Sequence, residues 1–226
     1  WLVRTNPKII NIFKELWGTD ELVTSFDGCC YYPKDYVGQE RYWTHSDQSS
    51  RKKGVYCYQS FVSLTNNSER TLQVYEGTHL CHEKYFEDMN IDEPRDWNII
   101  DQDYIKQYED KKRVLNVKAG DLVVWESRTF HQNLCGSIDC NEERLIQYLC
   151  YLPKEREGNT ERAQRYRKRY FETRRTTSHW PYPMNVVPLQ PNVYNYYNEG
   201  NEIYINYEYL PKPELDDLME KIEVLL

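Results

Sequence analysis

No stretch of this chain approaches the roughly 18–20 consecutive apolar residues that a membrane helix needs, and the mean hydropathy is −0.88. Positive charge is scarce: 29 Lys and Arg face 36 Asp and Glu, a formal charge of −7. That balance argues against a general nucleic-acid surface but leaves room for a basic pocket around an acidic small molecule. No Cys-x-x-Cys pair occurs among the seven cysteines, Cys29, Cys30, Cys57, Cys81, Cys135, Cys140 and Cys150. An odd number without paired spacing reads as reduced thiols in an intracellular, cytoplasmic protein. Cys135 and Cys140 can pair, although two free thiols in a flexible loop is the preferred reading. No secretory signal is visible. Trp1 rather than Met opens the chain, so an upstream segment is expected. There is no internal repeat.

What is present suits a β-rich fold. The 226 residues suffice for one sizeable core, and sandwiches or barrels of this length are often single domains. The 21 tyrosines, many at strand-like spacing, fit sheet surfaces and pockets. Residues 6–17 repeat apolar side chains at three- and four-residue steps, which predicts a helix ending at Gly18. Strands are expected within 22–32, 42–47, 55–64, 71–75, 113–117, 122–125 and 145–152. A charged insertion, 82–110, reads as two short helices. Asn159 is expected to cap a basic helix running to about Thr173. An irregular arm should follow Pro181, then a short helix over 214–224. Mainly β with flanking helices, as an antiparallel sandwich or barrel, is the predicted class. One domain is expected over 1–226, with a helical segment 1–21, a β core 22–153 and a C-terminal helix and arm 154–226.

The chemistry concentrates at His45-Ser46-Asp47. On a strand, residues i and i+2 share a face, so His45 and Asp47 can offer a nitrogen and an oxygen to one metal ion. A distant histidine would complete the two-histidine, one-carboxylate set of non-haem Fe(II) oxygenases. His131 is the candidate. Gly120-Asp121 reads as a tight turn entering an apolar strand with His131 near its far end. Arg144 opens the next strand, and its planar guanidinium suits bidentate pairing with an acidic cosubstrate. A surface pair with Glu142 or Glu143 is its competing reading. Gln59 and Asn133 lie within reach of such a cosubstrate, although Gln59 also reads as a satisfied sheet residue. Trp43, Gln48 and Arg128 are candidates for substrate contact, with core packing the alternative for Trp43 and structural pairing for Arg128. His79, Cys81 and His82 lack the paired fourth ligand that a zinc site needs. His179 reads as a hydrogen-bonded residue beside Trp180, and the basic run 162–175 as a solvated helix face.

These residues resemble the phytanoyl-CoA dioxygenase-like family of Fe(II)/2-oxoglutarate-dependent oxygenases. The matching stretches are Trp43-Thr44-His45-Ser46-Asp47-Gln48-Ser49 and Gly120 to Gln132, with a weaker match at Arg175-Thr176-Thr177-Ser178-His179-Trp180-Pro181. The resemblance spans roughly residues 1–181. It implies a double-stranded β-helix, a cupin-like jelly roll whose open mouth holds the metal. It also implies Fe(II) on His45, Asp47 and His131, and 2-oxoglutarate with its far carboxylate on Arg144. O2 and a small or medium organic substrate complete the reaction, a hydroxylation. The Gly-Gly pair that many members carry before a Gly-Ser-His turn is absent from the stretch ending Gly77-Thr78-His79, so the substrate rim differs. Two other readings stay open: a jelly roll that binds metal without turnover, and a cupin-like metal enzyme that does not use 2-oxoglutarate.

Overall fold

In the computed structural model, which describes residues 1–38, 40–187, 192–194, 202–204 and 209–226, Asn6 and Pro7 open the first helix, α1 (Pro7–Trp17). The Asn6 side chain accepts from the Lys8 amide, and Gly18 closes the helix in the left-handed region at φ 66°, a conformation that favours glycine. In chain order there follow β1 (Leu22–Thr24), β2 (Cys29–Tyr32), β3 (His45–Ser46), β4 (Tyr58–Ser63), β5 (Leu72–Tyr75) and α2 (His82–Asp88). Next come β6 (Asn98–Ile99), α3 (Gln102–Ile105), β7 (Lys112–Val114), β8 (Leu122–Glu126), β9 (His131–Asn133) and β10 (Arg144–Pro153). The chain ends with α4 (Glu161–Glu172), β11 (Asn192–Tyr194), β12 (Glu202–Tyr204) and α5 (Met219–Leu225). The chain divides into two compact units, Cys29–Cys150 and Trp1–Gly28 with Tyr151–Leu226.

The unit Cys29–Cys150 is built from two open antiparallel sheets. One runs β2-β10-β4-β8 and the other β6-β3-β9-β5-β7. The chain crosses repeatedly between them, which is the winding of a double-stranded β-helix, a jelly roll rather than a closed barrel. Registers fix the two inner faces. Phe61 stands opposite Tyr148 on one side and Val123 on the other. Phe61, Leu72, Val117, Trp125 and Ile146 form the buried core between the sheets. Side chains of the other parity on the second sheet, Tyr75, Ile100 and Phe130, pack with Tyr85 and Phe86 of α2 and Ile105 of α3. The insertion helices therefore cover that sheet's outer face, leaving its inner face for the site.

Two expectations are corrected here. His131 does not end the apolar strand β8. That strand stops at Glu126, a turn closes with Thr129 N donating to the Glu126 carbonyl at 2.9 Å, and His131 opens β9 in the other sheet. The insertion holds its two short helices but also β6, which pairs with β3.

In the other unit, β1 pairs antiparallel with Tyr151–Pro153, with Leu22 opposite Pro153. α1 buries Ile9 and Phe13, the latter against Tyr151 at 4.7 Å between ring centres. Each such side chain contributes about 1.5–3 kcal/mol. Thr160, not Asn159, caps α4, because its hydroxyl accepts from Ala163 while Asn159 donates to the Lys154 carbonyl. The expected C-terminal helix is a 3-10 turn, Asp216–Leu218, leading into α5. The arm expected after Pro181 falls largely outside the described residues.

Candidate metal centre

His45 and Asp47 leave β3 on one face, two residues apart. His131 stands directly opposite His45 in the antiparallel register, so its side chain joins that face. All three are buried, and one donor atom of each lies within 4.8 Å of the others. His45 Nε2 is 3.4 Å and His131 Nε2 3.3 Å from the same oxygen, Asp47 Oδ2. The rings are held from behind. His45 Nδ1 is 2.9 Å from the Trp43 carbonyl and His131 Nδ1 is 2.8 Å from that of Thr129. A carbonyl only accepts, so each Nδ1 carries a proton and donates it. Both Nε2 atoms are thereby turned toward one point, the orientation that metal-binding imidazoles need.

The three groups share charge unequally. Burial pushes the His45 imidazole down, but the hydrogen bond to Asp47 and its charge outweigh this, and the pKa ends above the ordinary histidine value. Burial and the neighbouring His45 charge hold His131 below that value. One carboxylate thus favours one imidazolium, at His45, and a divalent cation at the same point would replace that proton.

A polar lining surrounds the triad. From the opposite sheet, Gln59 Nε2 donates to Asp47 Oδ2 at 2.9 Å. The Trp43 ring stacks on His45 at 4.9 Å and 22°, and its Nε1 donates to the Asn133 carbonyl. Trp125, opposite Gln59 on β8, lies 5.3 Å from the His131 ring. Arg144 is 1% exposed. Its Nη2 donates to Asn133 Oδ1 at 2.7 Å, and Asn133 Nδ2 donates to the Tyr148 hydroxyl at 3.1 Å. Asn133 lies two residues beyond His131, about 7 Å along the strand. In this lining, Arg144 Nη1, Gln59 Oε1 and Trp125 Nε1 are buried and have no hydrogen-bond partner among the described residues. Buried polar groups are rarely left so without a ligand, ion or water.

The remaining candidates take other roles. Gln48 is buried, with Nε2 donating to the Lys52 and Gly54 carbonyls and Oε1 accepting from Ser127, so its amide is drawn into the scaffold. Arg128 pairs with Glu126, and Glu83 lies 3.9 Å away. Glu142 and Glu143, the surface partners considered for Arg144, bond instead to the Ser68–Arg70 segment and to Tyr31. Among the described residues, His79, Cys81 and His82 form no ligand cluster; His82 donates to the Gln48 carbonyl. All seven cysteines are free. Sequence reasoning missed Trp125 and Tyr148. The alternation Arg144, Ile146, Tyr148, Cys150 on one strand face marks the second.

No protein-family model matches the chain. A curated relative, Ava biosynthesis cluster protein O of Aspergillus versicolor, is 29% identical over 196 residues, covering 80% of this chain and 62% of that protein. The chain thus spans about three fifths of that relative's length. Among solved structures, it is similar to a non-heme monooxygenase, ThoJ in its apo form, at 18% identity and a TM-score of 0.48, over 68% of this chain and 55% of the other. A second is the epimerase SnoN in complex with Fe3+, alpha-ketoglutarate and nogalamycin RO, at 18% identity and a TM-score of 0.46, over 67% of this chain and 57% of the other. No helix among the described residues is long and apolar enough to cross a membrane.

Proposed function

We propose that the protein is an Fe(II)- and 2-oxoglutarate-dependent dioxygenase, of the phytanoyl-CoA dioxygenase-like type, that hydroxylates a C–H bond of a small or medium organic molecule. The observation that carries this reading is the pairing of a buried three-residue cluster with a buried arginine that has no acidic partner among the described residues. His45, Asp47 and His131 would hold the iron, because their donor atoms converge and the Nδ1 bonds fix both rings. Arg144 offers Nη1, which has no acceptor among the described residues, to the far carboxylate of the cosubstrate, a pairing that suits a guanidinium. Asn133 positions that guanidinium through Nη2. Gln59 keeps Asp47 turned toward the imidazoles. Trp43 and Trp125 flank the two rings and keep bulk water from the ligands. Once bound, iron with O2 and the 2-oxo acid would supply the oxidising power, with succinate and carbon dioxide released and one oxygen atom delivered to the substrate.

An anaerobic titration tests this. Fe(II) followed by 2-oxoglutarate should give a visible absorption band that needs both additions, and His131→Ala should abolish it. Arg144→Ala should still bind Fe(II) but weaken 2-oxoglutarate roughly ten- to a hundredfold, the worth of a hydrogen bond to a charged group. Fe(II) binding without a band, or a band indifferent to Arg144→Ala, would overturn the reading. It would favour a metal enzyme that does not use 2-oxoglutarate, or a jelly roll without turnover.

A further inference from the structure

The edge strand β6 places two apolar side chains beside the metal centre. Ile99 stands opposite His45, and Asn98 opposite Ser46. Opposed residues of an antiparallel pair point to one face, so Ile99 shares the face of His45. Trp97, two residues earlier, belongs to that face too, and its ring centre is 5.7 Å from that of His45. Residues of the other parity turn to the opposite face, under the insertion helices. Asn98 and Ile100 are buried, Asn98 donates to the Gln48 and Arg95 carbonyls, and Ile100 joins the core under the insertion helices. Trp97 is 53% exposed and Ile99 43%. A single exposed apolar residue is ordinary, but two neighbours on the ligand face of one sheet edge are not explained by packing.

Their chemistry narrows what would cover them. A tryptophan face offers a broad, rigid apolar surface that prefers offset or edge contact with another ring. Charge offers an anion no anchor. The segment 82–110, which carries both residues, holds ten Asp and Glu against three Lys and Arg, and the basic side chains around it are already paired: Arg51 with Asp92, Lys52 with Asp96, Lys53 with Glu83, Arg95 with Glu93 and Arg128 with Glu126. A phosphorylated or otherwise anionic group would have to compete with those carboxylates for a cation.

We propose that Trp97 and Ile99 form a substrate-recognition lip, and that the substrate is a neutral, ring-bearing apolar molecule that stacks on Trp97 with its reactive carbon toward His45, Asp47 and His131. The lip rests on the oxygenase reading, for which it names the substrate class.

The test uses the full chain with 2-naphthol as probe and 2-naphthyl phosphate as its anionic counterpart, both followed by saturation-transfer NMR on the protein as isolated. Naphthol should bind the wild type, weaken about tenfold or more in Trp97→Ala, as for a central tryptophan contact, and recover in Trp97→Phe. Val114→Ala, an exposed apolar position on β7, should bind like wild type. Naphthyl phosphate should bind about tenfold more weakly than naphthol, because the nearby cations are already paired with carboxylates. The lip is overturned if naphthol fails to bind the wild type, if Trp97→Ala binds as well as wild type, or if the phosphate binds as tightly as the alcohol. The Fe(II)/2-oxoglutarate band is recorded separately. Trp97-dependent naphthol binding without a band keeps the lip and removes the oxygenase; a band with Trp97-independent binding does the reverse.

Discussion

Gln59 reaches across from β4 to the oxygen of Asp47 that both imidazoles face, 2.9 Å away. It is 5% exposed, so the bond is shielded from water and holds the carboxylate in one orientation. Partners of this kind tune metal affinity as well as ligand direction. Gln59→Leu should therefore lower Fe(II) or Zn(II) affinity about ten- to a hundredfold with little change in far-UV dichroism; isothermal titration gives the number, and an unchanged affinity would show that Asp47 needs no such support. The converging cluster of His45, Asp47 and His131 was legible because its residue types and the i, i+2 spacing of His45 and Asp47 depend only on local strand geometry. Gln59 was legible as a residue near the site, but not as a partner of Asp47. That bond joins two sheets whose registers no local pattern contains. Gln48 misled for the opposite reason. It neighbours Asp47 in sequence, yet its parity and its three hydrogen bonds turn it away from the centre.

Among the elements, β6 had no sequence signal. Two residues, Asn98 and Ile99, cannot display a period of two, and the charged residues around them read as loop. Only pairing with β3 makes them a strand. The turn after Glu126 was hidden likewise, because the apolar run and His131 look continuous until the Thr129 amide closes back on Glu126. Loops, in turn, are held by groups a sequence pattern treats as surface charge. Arg70 is 1% exposed and donates to the carbonyls of Pro33, Tyr36, Cys135, Cys140 and Glu142. It ties the segment after β2 to the loop before β10, the strand that begins with Arg144. Arg70→Leu would leave several carbonyls without donors, each worth about 1–3 kcal/mol when buried. We expect a loss of about 3 kcal/mol or more in urea unfolding. Arg70→Lys should recover only part of it, because an ammonium cannot reproduce the planar fork. Equal stability of Arg70→Leu and wild type would show that these loops hold themselves.

At the scale of the whole molecule, the sequence announced many strands and flanking helices, while the winding between two sheets came from pairings such as His45 with His131, which are remote in the chain. The same long-range packing sets the acid stability. His82 is fully buried. Its Nε2 donates to the Gln48 carbonyl, and its Nδ1 has no partner among the described residues. Burial holds its pKa down to about 4. A proton arriving at Nδ1 would find no acceptor, so the folded state refuses what the unfolded chain binds from about pH 6.5 downward. Stability is therefore full above that pH and falls by about 3 kcal/mol as pH drops to 4, the cost of about 2.5 pKa units. Glu142 acts in the next window. Burial pushes its carboxyl up, but the amides of Arg70, Ser68 and Glu69 and the Ser68 hydroxyl pull it down to about 2. Its folded pKa lies below the unfolded value near 4.3, so its contribution is present above that pH and is lost as pH falls toward 2. Urea midpoints measured from pH 8 to 3 should decline in these two steps. His82→Gln, which keeps an N–H donor but takes no proton, should flatten the step between 6.5 and 4 and leave the lower one. If the upper step survives in His82→Gln, another group refuses the proton and the role given to His82 is wrong.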